Sequence, residues 1–371
     1  MTKIKVLHII KSLGRGGAEM LLPETLKMHD TSAFEFHYIY FLPWKNQMVQ
    51  AIEAAGGKVT CLAAKNNIAL LFQYRKIIRY CKENQIQLIH AHLPWAGFVS
   101  RLVHRLTDIP VLYTEHNMQE RYHYVTKLVN KYTFNFQTLG IGVSEDVTHS
   151  ITKNIAPKIN VRTLLNGVNV TSFVRTSRPE NAAIRKQLQI PETAFLIGTV
   201  AVFRFQKRLD LWLEILKQTI DSDSNVYGII VGAGILEPQI KAKQEALGLQ
   251  GKVIFVGLQT EVKPYYEAMN VFMMTSSFEG LPIALLEAMS MECAIVTTDA
   301  GGIKEVITSE KEGLMVDVDN WQTMSEHLLY LKNKPETRQL LSENARKRVT
   351  TTFSIQAMVT ILEKWYKEYT I

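Results

Sequence analysis

The sequence lacks the features that would place it in several broad classes. It has only three cysteines in 371 residues, Cys61, Cys81 and Cys293, and they show neither the spacing of a disulfide framework nor that of a zinc site. They are read as buried thiols. No apolar run reaches the ~18 residues that a membrane-spanning helix needs. The start, MTKIKVLHIIKSLGRGG, has lysines and a short apolar run, yet it alternates like a strand and has no small-residue cleavage site. It reads as a buried first strand, and the protein is expected in the cytoplasm. There is no zinc finger, RNP aromatic pair or dense Lys/Arg tract, which argues against a nucleic-acid partner. Short internal repeats of the solenoid type are missing as well.

What is present fits a soluble globular protein: 47% hydrophobic and 21% charged residues, in a chain long enough for two domains with a core each. The net charge of +7 is unevenly placed, since residues 1–168 hold 20 basic against 11 acidic side chains and the remainder 22 against 24. A basic first half suits an anionic partner, whether a membrane surface, a phosphate-bearing acceptor or nucleic acid, and charge alone does not choose among them.

Short apolar runs alternate with amphipathic segments along the whole length, the pattern of parallel sheets covered by helices. Strands are expected at 4–10, 36–42, 58–62, 88–92, 110–116, 139–144 and 161–166. The alternation breaks at LLNGVNVTSFVRTSRPE, where Asn166-Gly167 and Pro179 are turn signals. It restarts with strands at 194–203, 226–232, 252–257, 271–275, 294–298 and 313–317, followed by two helical stretches that close the chain. The expected domains are therefore 1–168 and 169–353, followed by a final helical stretch, 354–371, with an aromatic, apolar face.

The stretch SSFEGLPIALLEAMS, 276–290, carries the most chemistry: Glu279 and Glu287 flank seven residues that begin Gly-Leu-Pro. Pro282 suits a first helical turn, because its missing N–H would have no intrahelical partner there. Glu279 then lies in the loop before a helix start, beside amides that favour an anion. A sugar nucleotide could rest its phosphates on the backbone of Gly280, Leu281, Pro282 and Ile283 while Glu287 accepts hydrogen bonds from ribose hydroxyls. The alternative is a pair of ordinary helix-start and surface carboxylates.

Other residues follow the same logic. The cluster Gly14-Arg15-Gly16-Gly17 separates the first strand from a helix, where Gly16 and Gly17 permit close backbone approach to a phosphate or simply make a tight turn. It is not a dinucleotide fingerprint, since Glu19 stands where G-x-G-x-x-G needs its last glycine. His116 ends an expected strand, where open α/β sheets place ligand-facing groups. His90 and His92 share a strand face but, without an evident third ligand, read as structural. Arg204 and Lys207, after a strand and before a helix, are cations suited to a diphosphate or to a solvated basic turn. Gly232 and Gly234 end a strand near a ligand or in a turn. Asp317-Val318-Asp319 spells a D-x-D but reads as a strand end and helix cap, so no metal is expected. Residues 121–136, basic and aromatic, read either as an ordinary amphipathic helix or as a surface leaning on an anionic membrane.

FEGLPIALLEAM resembles the E-x7-E signature of family 4 retaining glycosyltransferases, which have the GT-B fold. The Gly16-Gly17-Ala18-Glu19 loop, the strand-end histidine, the Asn-Gly-Val linker and the Arg…Lys pair occur in that family's order. The resemblance implies two Rossmann-like α/β domains with parallel sheets facing across a cleft, able to close about the linker, with the final helix, 354–371, crossing back onto the first domain. It implies transfer of a sugar from a nucleotide-sugar, UDP-linked by expectation, to a glycan or lipid-linked acceptor in bacterial surface polysaccharide or glycolipid synthesis. Arg204 and Lys207 would bind the donor diphosphate and Glu287 the ribose. Val256 and Gly257 would lie by the base, with Gly16, Gly17 and Gly232 lining the donor. Glu279 and His116 would lie near the transferred sugar. No cofactor beyond the donor is implied. In the implied same-face substitution the donor's own phosphate oxygen takes the acceptor proton. The alternatives are a sugar-nucleotide epimerase or phosphorylase on the same scaffold, or a two-lobed sugar-binding protein without turnover.

Overall fold

Runs rich in Val, Ile and Leu form strands buried on both faces, because in a parallel sheet the crossover helices cover each side. In the computed structural model, which describes residues 3–179 and 182–370, the chain divides into two units, Met1–Gly167 with Ile355–Ile371, and Val168–Ser354. The first unit contains β1 (Ile4–Ile10), β2 (Phe34–Tyr40), β3 (Lys58–Cys61), β4 (Leu88–His92), β5 (Val111–Glu115), β6 (Leu139–Gly142) and β7 (Val161–Thr163). They form a seven-stranded sheet ordered β3-β2-β1-β4-β5-β6-β7, with every pairing parallel. The second unit contains β8 (Phe195–Val200), β9 (Val226–Val231), β10 (Val253–Gly257), β11 (Val271–Met274), β12 (Ala294–Thr298) and β13 (Leu314–Val316). Its parallel six-stranded sheet is ordered β10-β9-β8-β11-β12-β13. Both units are thus α/β. The strand order reverses between β1 and β4 in one and between β8 and β11 in the other, and at such switch points open parallel sheets leave a crevice for ligands.

Several expected boundaries shift. The run 194–203 is a strand only to Val200, because the chain then loops and Phe203 N–H donates to Ala233 O at 3.0 Å. His116 lies one residue beyond β5. Between β3 and β4 the chain forms two helices, Asn67–Leu71 and Tyr74–Asn84. Pro282 is the N-cap, not the first helical residue: its ψ of 117° is extended, and the helix runs Ile283–Ser290. Among the described residues no helix is long and apolar enough to cross a membrane.

The final helix, Ile355–Tyr369, belongs to the first unit and completes its core. Ile355, Met358, Val359, Leu362, Trp365 and Tyr366 recur at helical spacing, so one face is apolar and packs with Val6, Ile10, Leu22 and Phe36. The same core buries the imidazoles of His8, His90 and His92, with that of His29 beside them against Phe36 and Tyr366. Tyr366 Oη is 2.7 Å from His90 Nδ1, and Thr114 Oγ1 is 2.7 Å from His90 Nε2, so the helix is fastened to β4 by a polar bond inside an apolar core. Loss of solvation, then the neighbouring imidazoles, pull the His90 pKa down to about 3 and hold those of His8 and His92 well below the ordinary value.

These rings stay neutral in the folded state while the unfolded chain, at an ordinary histidine pKa of ~6.5, takes up protons. Stability is therefore lost as pH falls through ~6.5, by up to ~1.4 kcal/mol per pH unit for each ring until its folded pKa is reached. The urea midpoint of unfolding is expected to drop steadily between about pH 7 and about pH 5. A midpoint unchanged across that window contradicts the buried neutral cluster.

Candidate active site

At the switch point of the second sheet, the loops that leave β8 and β11 are bonded to each other. Ser277 N–H donates to Gln206 O at 2.8 Å, and Thr275 Oγ1 lies 2.9 Å from Lys207 O. The first loop closes with the 3₁₀ turn Phe205–Lys207 and then Arg208, whose φ of 46° is left-handed. Arg208 bonds backbone: its Nε donates to Thr275 O at 2.7 Å and its Nη2 to Val318 O at 3.0 Å. Burial lowers its pKa. Of the three cations in this turn, Arg208 is thus a structural tie.

Lys207 is directed across the gap. Its Nζ is 2.5 Å from Glu279 Oε1, which also accepts from Ser276 Oγ at 2.6 Å. Two side chains 72 positions apart are thereby joined in one partly buried ion pair. Arg204 is exposed, and its guanidinium has no hydrogen-bond or ionic partner among the described residues. The site accordingly holds one cation neutralised by a carboxylate and one uncommitted cation.

The backbone around Glu279 is equally constrained. Gly301 has φ +64°, and a Cβ there would lie 2.3 Å from Glu279 O, so only glycine fits beneath that carbonyl. From Glu279 the chain passes through Gly280 and Leu281, both buried, to Pro282 and the helix that starts at Ile283. No side chain caps that helix start and no acidic residue occupies its first turn, the condition that suits an anion. Glu287, more than a turn inside, is buried, and its Oε2 accepts from Tyr266 Oη at 2.8 Å. Burial and the adjacent carboxylate push the Tyr266 hydroxyl well above its ordinary pKa, so it remains a donor.

Gly232 and Gly234 answer to backbone packing. A Cβ on Gly232 (φ +129°) would meet Ala201 O at 1.9 Å, and one on Gly234 would meet Phe203 N at 2.6 Å. The end of β9 therefore lies flat against the loop that carries Arg204. Gly232 N–H also donates to Gly257 O at 2.9 Å, and Val256 O accepts from Gln259 Nε2 at 2.9 Å. Gly257 has φ +76°, a conformation other residues resist.

In the first unit, Gly16 is the N-cap of the helix Gly17–Leu26, with no side-chain cap; the nearest obstacle to a Cβ there is the Glu19 carboxylate, held at 3.1 Å by Ser12 Oγ. His116 Nε2 faces His92 Nδ1 at 3.4 Å, and His92 Nε2 faces His8 Nδ1 at 3.0 Å. Burial brings the His116 pKa down to about 4. Its backbone N–H donates to Glu115 Oε1 at 3.1 Å. The Glu115 carboxylate is fully buried and accepts from Tyr113 Oη and Gln119 Nε2, each at 2.7 Å, and from Tyr122 Oη. Burial raises its pKa, opposed by those donors. Glu115 thus anchors the turn that sets His116 in place. His8, Glu115, Tyr266 and Tyr366 went unrecognised in the sequence, since each lies in a run that reads as plain strand or helix.

The placement can be set beside known proteins. Residues 17–172 match the model of the Glycosyltransferase Family 4, and residues 180–348 that of Glycosyl transferases group 1. The capsular polysaccharide biosynthesis glycosyltransferase CapM of Staphylococcus aureus is 23% identical over 352 residues, covering 89% of this chain and 92% of its own. The UDP-Gal:alpha-D-GlcNAc-diphosphoundecaprenol alpha-1,3-galactosyltransferase of Escherichia coli is 21% identical over 382 residues, covering 98% and 97%. Among solved structures, Anabaena HepE in complex with UDP-glucose has a TM-score of 0.88 at 18% identity, covering 98% of this chain and 100% of that one. Sucrose-phosphate synthase of Thermosynechococcus elongatus has a TM-score of 0.83 at 17% identity, covering 99% of each. These likenesses give the fold as GT-B. With one family match in each unit, the chain belongs to the family 4 glycosyltransferases.

Proposed function

We propose that this glycosyltransferase is a retaining hexosyltransferase that moves a sugar from a UDP-sugar to a hydroxyl of a glycan or lipid-linked acceptor in bacterial surface polysaccharide or glycolipid synthesis. The observation that carries this reading is the meeting of Lys207 with Glu279 near Arg204, which has no partner among the described residues, next to an uncapped helix start. The activities of the relatives named above, and the UDP-glucose bound to HepE, support the choice of donor and pathway.

Arg204 and Lys207 take the donor diphosphate, aided by the amides from Gly280 to the start of the helix. Glu287, oriented by Tyr266, takes the ribose, and Val256 and Gly257 lie by the base. Within the second unit Glu279 is assigned to the transferred sugar, and His116, Gly16 and Gly17 are the first unit's candidate ligand-facing residues. As the bond from the anomeric carbon to the diphosphate breaks, negative charge grows on the leaving oxygen, where fixed cations are worth most. The acceptor oxygen bonds to the same face, and its proton passes to the departing phosphate. The protein contributes position and charge, and no metal is assigned a part.

We also infer that the first unit touches an anionic membrane through the helix Tyr124–Thr133. Tyr124, Val125, Leu128 and Tyr132 are exposed there, alongside Lys127 and Lys131; Leu102 and Leu106 are exposed on the preceding helix. Aromatic and aliphatic side chains among lysines suit the boundary between headgroups and acyl chains.

Arg204→Ala is expected to lower kcat/KM for UDP release in the presence of acceptor by about 100-fold or more, as loss of a fixed charge-stabilising donor does. Its thermal unfolding should be unaltered, since the side chain supports nothing else. Undiminished transfer refutes the assignment. Conversion of the donor without acceptor indicates an epimerase, and tight sugar binding without turnover indicates a binding protein. For the membrane face, co-sedimentation with vesicles containing phosphatidylglycerol should exceed that with phosphatidylcholine alone and fall in a Tyr124→Ser, Tyr132→Ser double variant. Equal sedimentation in all cases removes it.

A further inference from the structure

His8, His92 and His116 form a continuous line of imidazoles from the core of the first unit to its strand-end loops, joined at 3.0 Å and 3.4 Å. The rings of His8 and His92 stack with centroids 5.3 Å apart and planes within 9°. The nitrogens of His8, His90 and His92 also lie within 4.8 Å of one another, which raises the question of a metal centre. Their partners answer it. Both nitrogens of His90 are held by Tyr366 and Thr114, both of His92 by His8 and His116, and only His8 Nε2 has no partner among the described residues. The cluster offers one uncommitted lone pair, where a metal needs three or four ligands.

A line of neutral imidazoles has a direction, because each ring carries one N–H and one lone pair. All three rings have lowered pKa values and stay neutral. Two orientations satisfy both links. In one, His116 donates inward through Nε2–H, His92 donates to His8, and the unpartnered His8 Nε2 must carry a buried N–H. In the other, His8 Nδ1–H donates to His92 Nε2, His92 Nδ1–H donates to His116 Nε2, and the unpartnered atom is a bare lone pair. Orphaned buried N–H groups are the rarer defect in folded proteins, which favours the second orientation.

We infer that His8 and His92 are positioning residues that fix His116 as the Nδ1–H tautomer, so that it presents a hydrogen-bond donor to an oxygen of the sugar or phosphate. This rests on the reading of His116 as the ligand-facing histidine. The relay imposes the opposite of the Nε2–H form that a free imidazole side chain prefers, which makes it observable. It also gives His8 a purpose that a strand residue stacked on Tyr38 at 4.9 Å does not otherwise need.

The test is nitrogen NMR of histidine-labelled full-length protein without ligand at neutral pH. The wild type should show His116 protonated at Nδ1. His8→Phe keeps the stacking but removes the donor, and His92→Phe removes the link; both should move His116 toward the Nε2–H form and lower kcat about tenfold, the worth of one hydrogen bond. His8→Asn, whose amide N–H can stand where Nδ1–H stood, should restore the tautomer and most of the rate. An Nε2–H wild type overturns the relay even if His116→Ala is inactive. An Nδ1–H wild type in which His116→Ala keeps full transfer overturns instead the role given to His116. The wild-type spectrum decides the first point even if a phenylalanine variant fails to fold.

Discussion

The ion pair between Lys207 and Glu279 joins the loops that leave β8 and β11 in the second unit. Two loops from different strands can be held in contact only if their backbones are bonded and their charges balance, and both conditions are met. Arg208 and Thr275 supply the backbone ties, and Glu279 supplies the counter-charge. A partly buried lysine without such a partner would be costly, and removing one member would leave the other stranded. Arg204 stands outside this arrangement, its charge without a partner among the described residues. The crevice is therefore built to receive more negative charge than it already contains, the condition a diphosphate would meet.

The first unit solves a different problem. Its core is apolar, yet it encloses imidazoles and a carboxylate, each of which must be satisfied inside the protein. Glu115 is satisfied by Tyr113, Gln119 and Tyr122, and His90 by Tyr366 and Thr114. Because Tyr366 lies on the last helix, the chain's final segment is part of the same polar network as β4. The consequence is a rigid setting for His116, with its backbone fixed by Glu115 and its ring by His92.

Much of the architecture was legible because buried parallel strands are written as unbroken apolar runs, and IKVLHII, VYGIIV and AIVTT leave little choice. The boundary errors arose where backbone bonding ends a strand before its hydrophobicity does, as at 201–203, where the chain turns to bond Ala233. The segments that carry Arg204, Lys207, Glu279 and Glu287 could be read from local pattern, since each sits where a strand gives way to a helix. Their pairing could not. Nothing in VFRFQKRLD indicates that Arg208 bonds carbonyls while Lys207 reaches a glutamate 72 positions away. His8 was hidden for a related reason: in an apolar strand it reads as a chance polar residue, and only the order β1-β4-β5 brings it into line with His92 and His116. Gly232 shows the converse: the sequence leaves it open between a ligand contact and a turn, and the neighbouring Ala201 carbonyl accounts for the need for glycine there.

The central claim, that the second unit holds the donor by its diphosphate at the meeting of the β8 and β11 loops, is tested most directly by a crystal structure of the protein with UDP. The account predicts the diphosphate against Arg204 and Lys207, with Lys207 Nζ drawn from Glu279 toward phosphate oxygen and the ribose hydroxyls on Glu287. Nucleotide bound elsewhere, with the Lys207–Glu279 pair undisturbed, would contradict it.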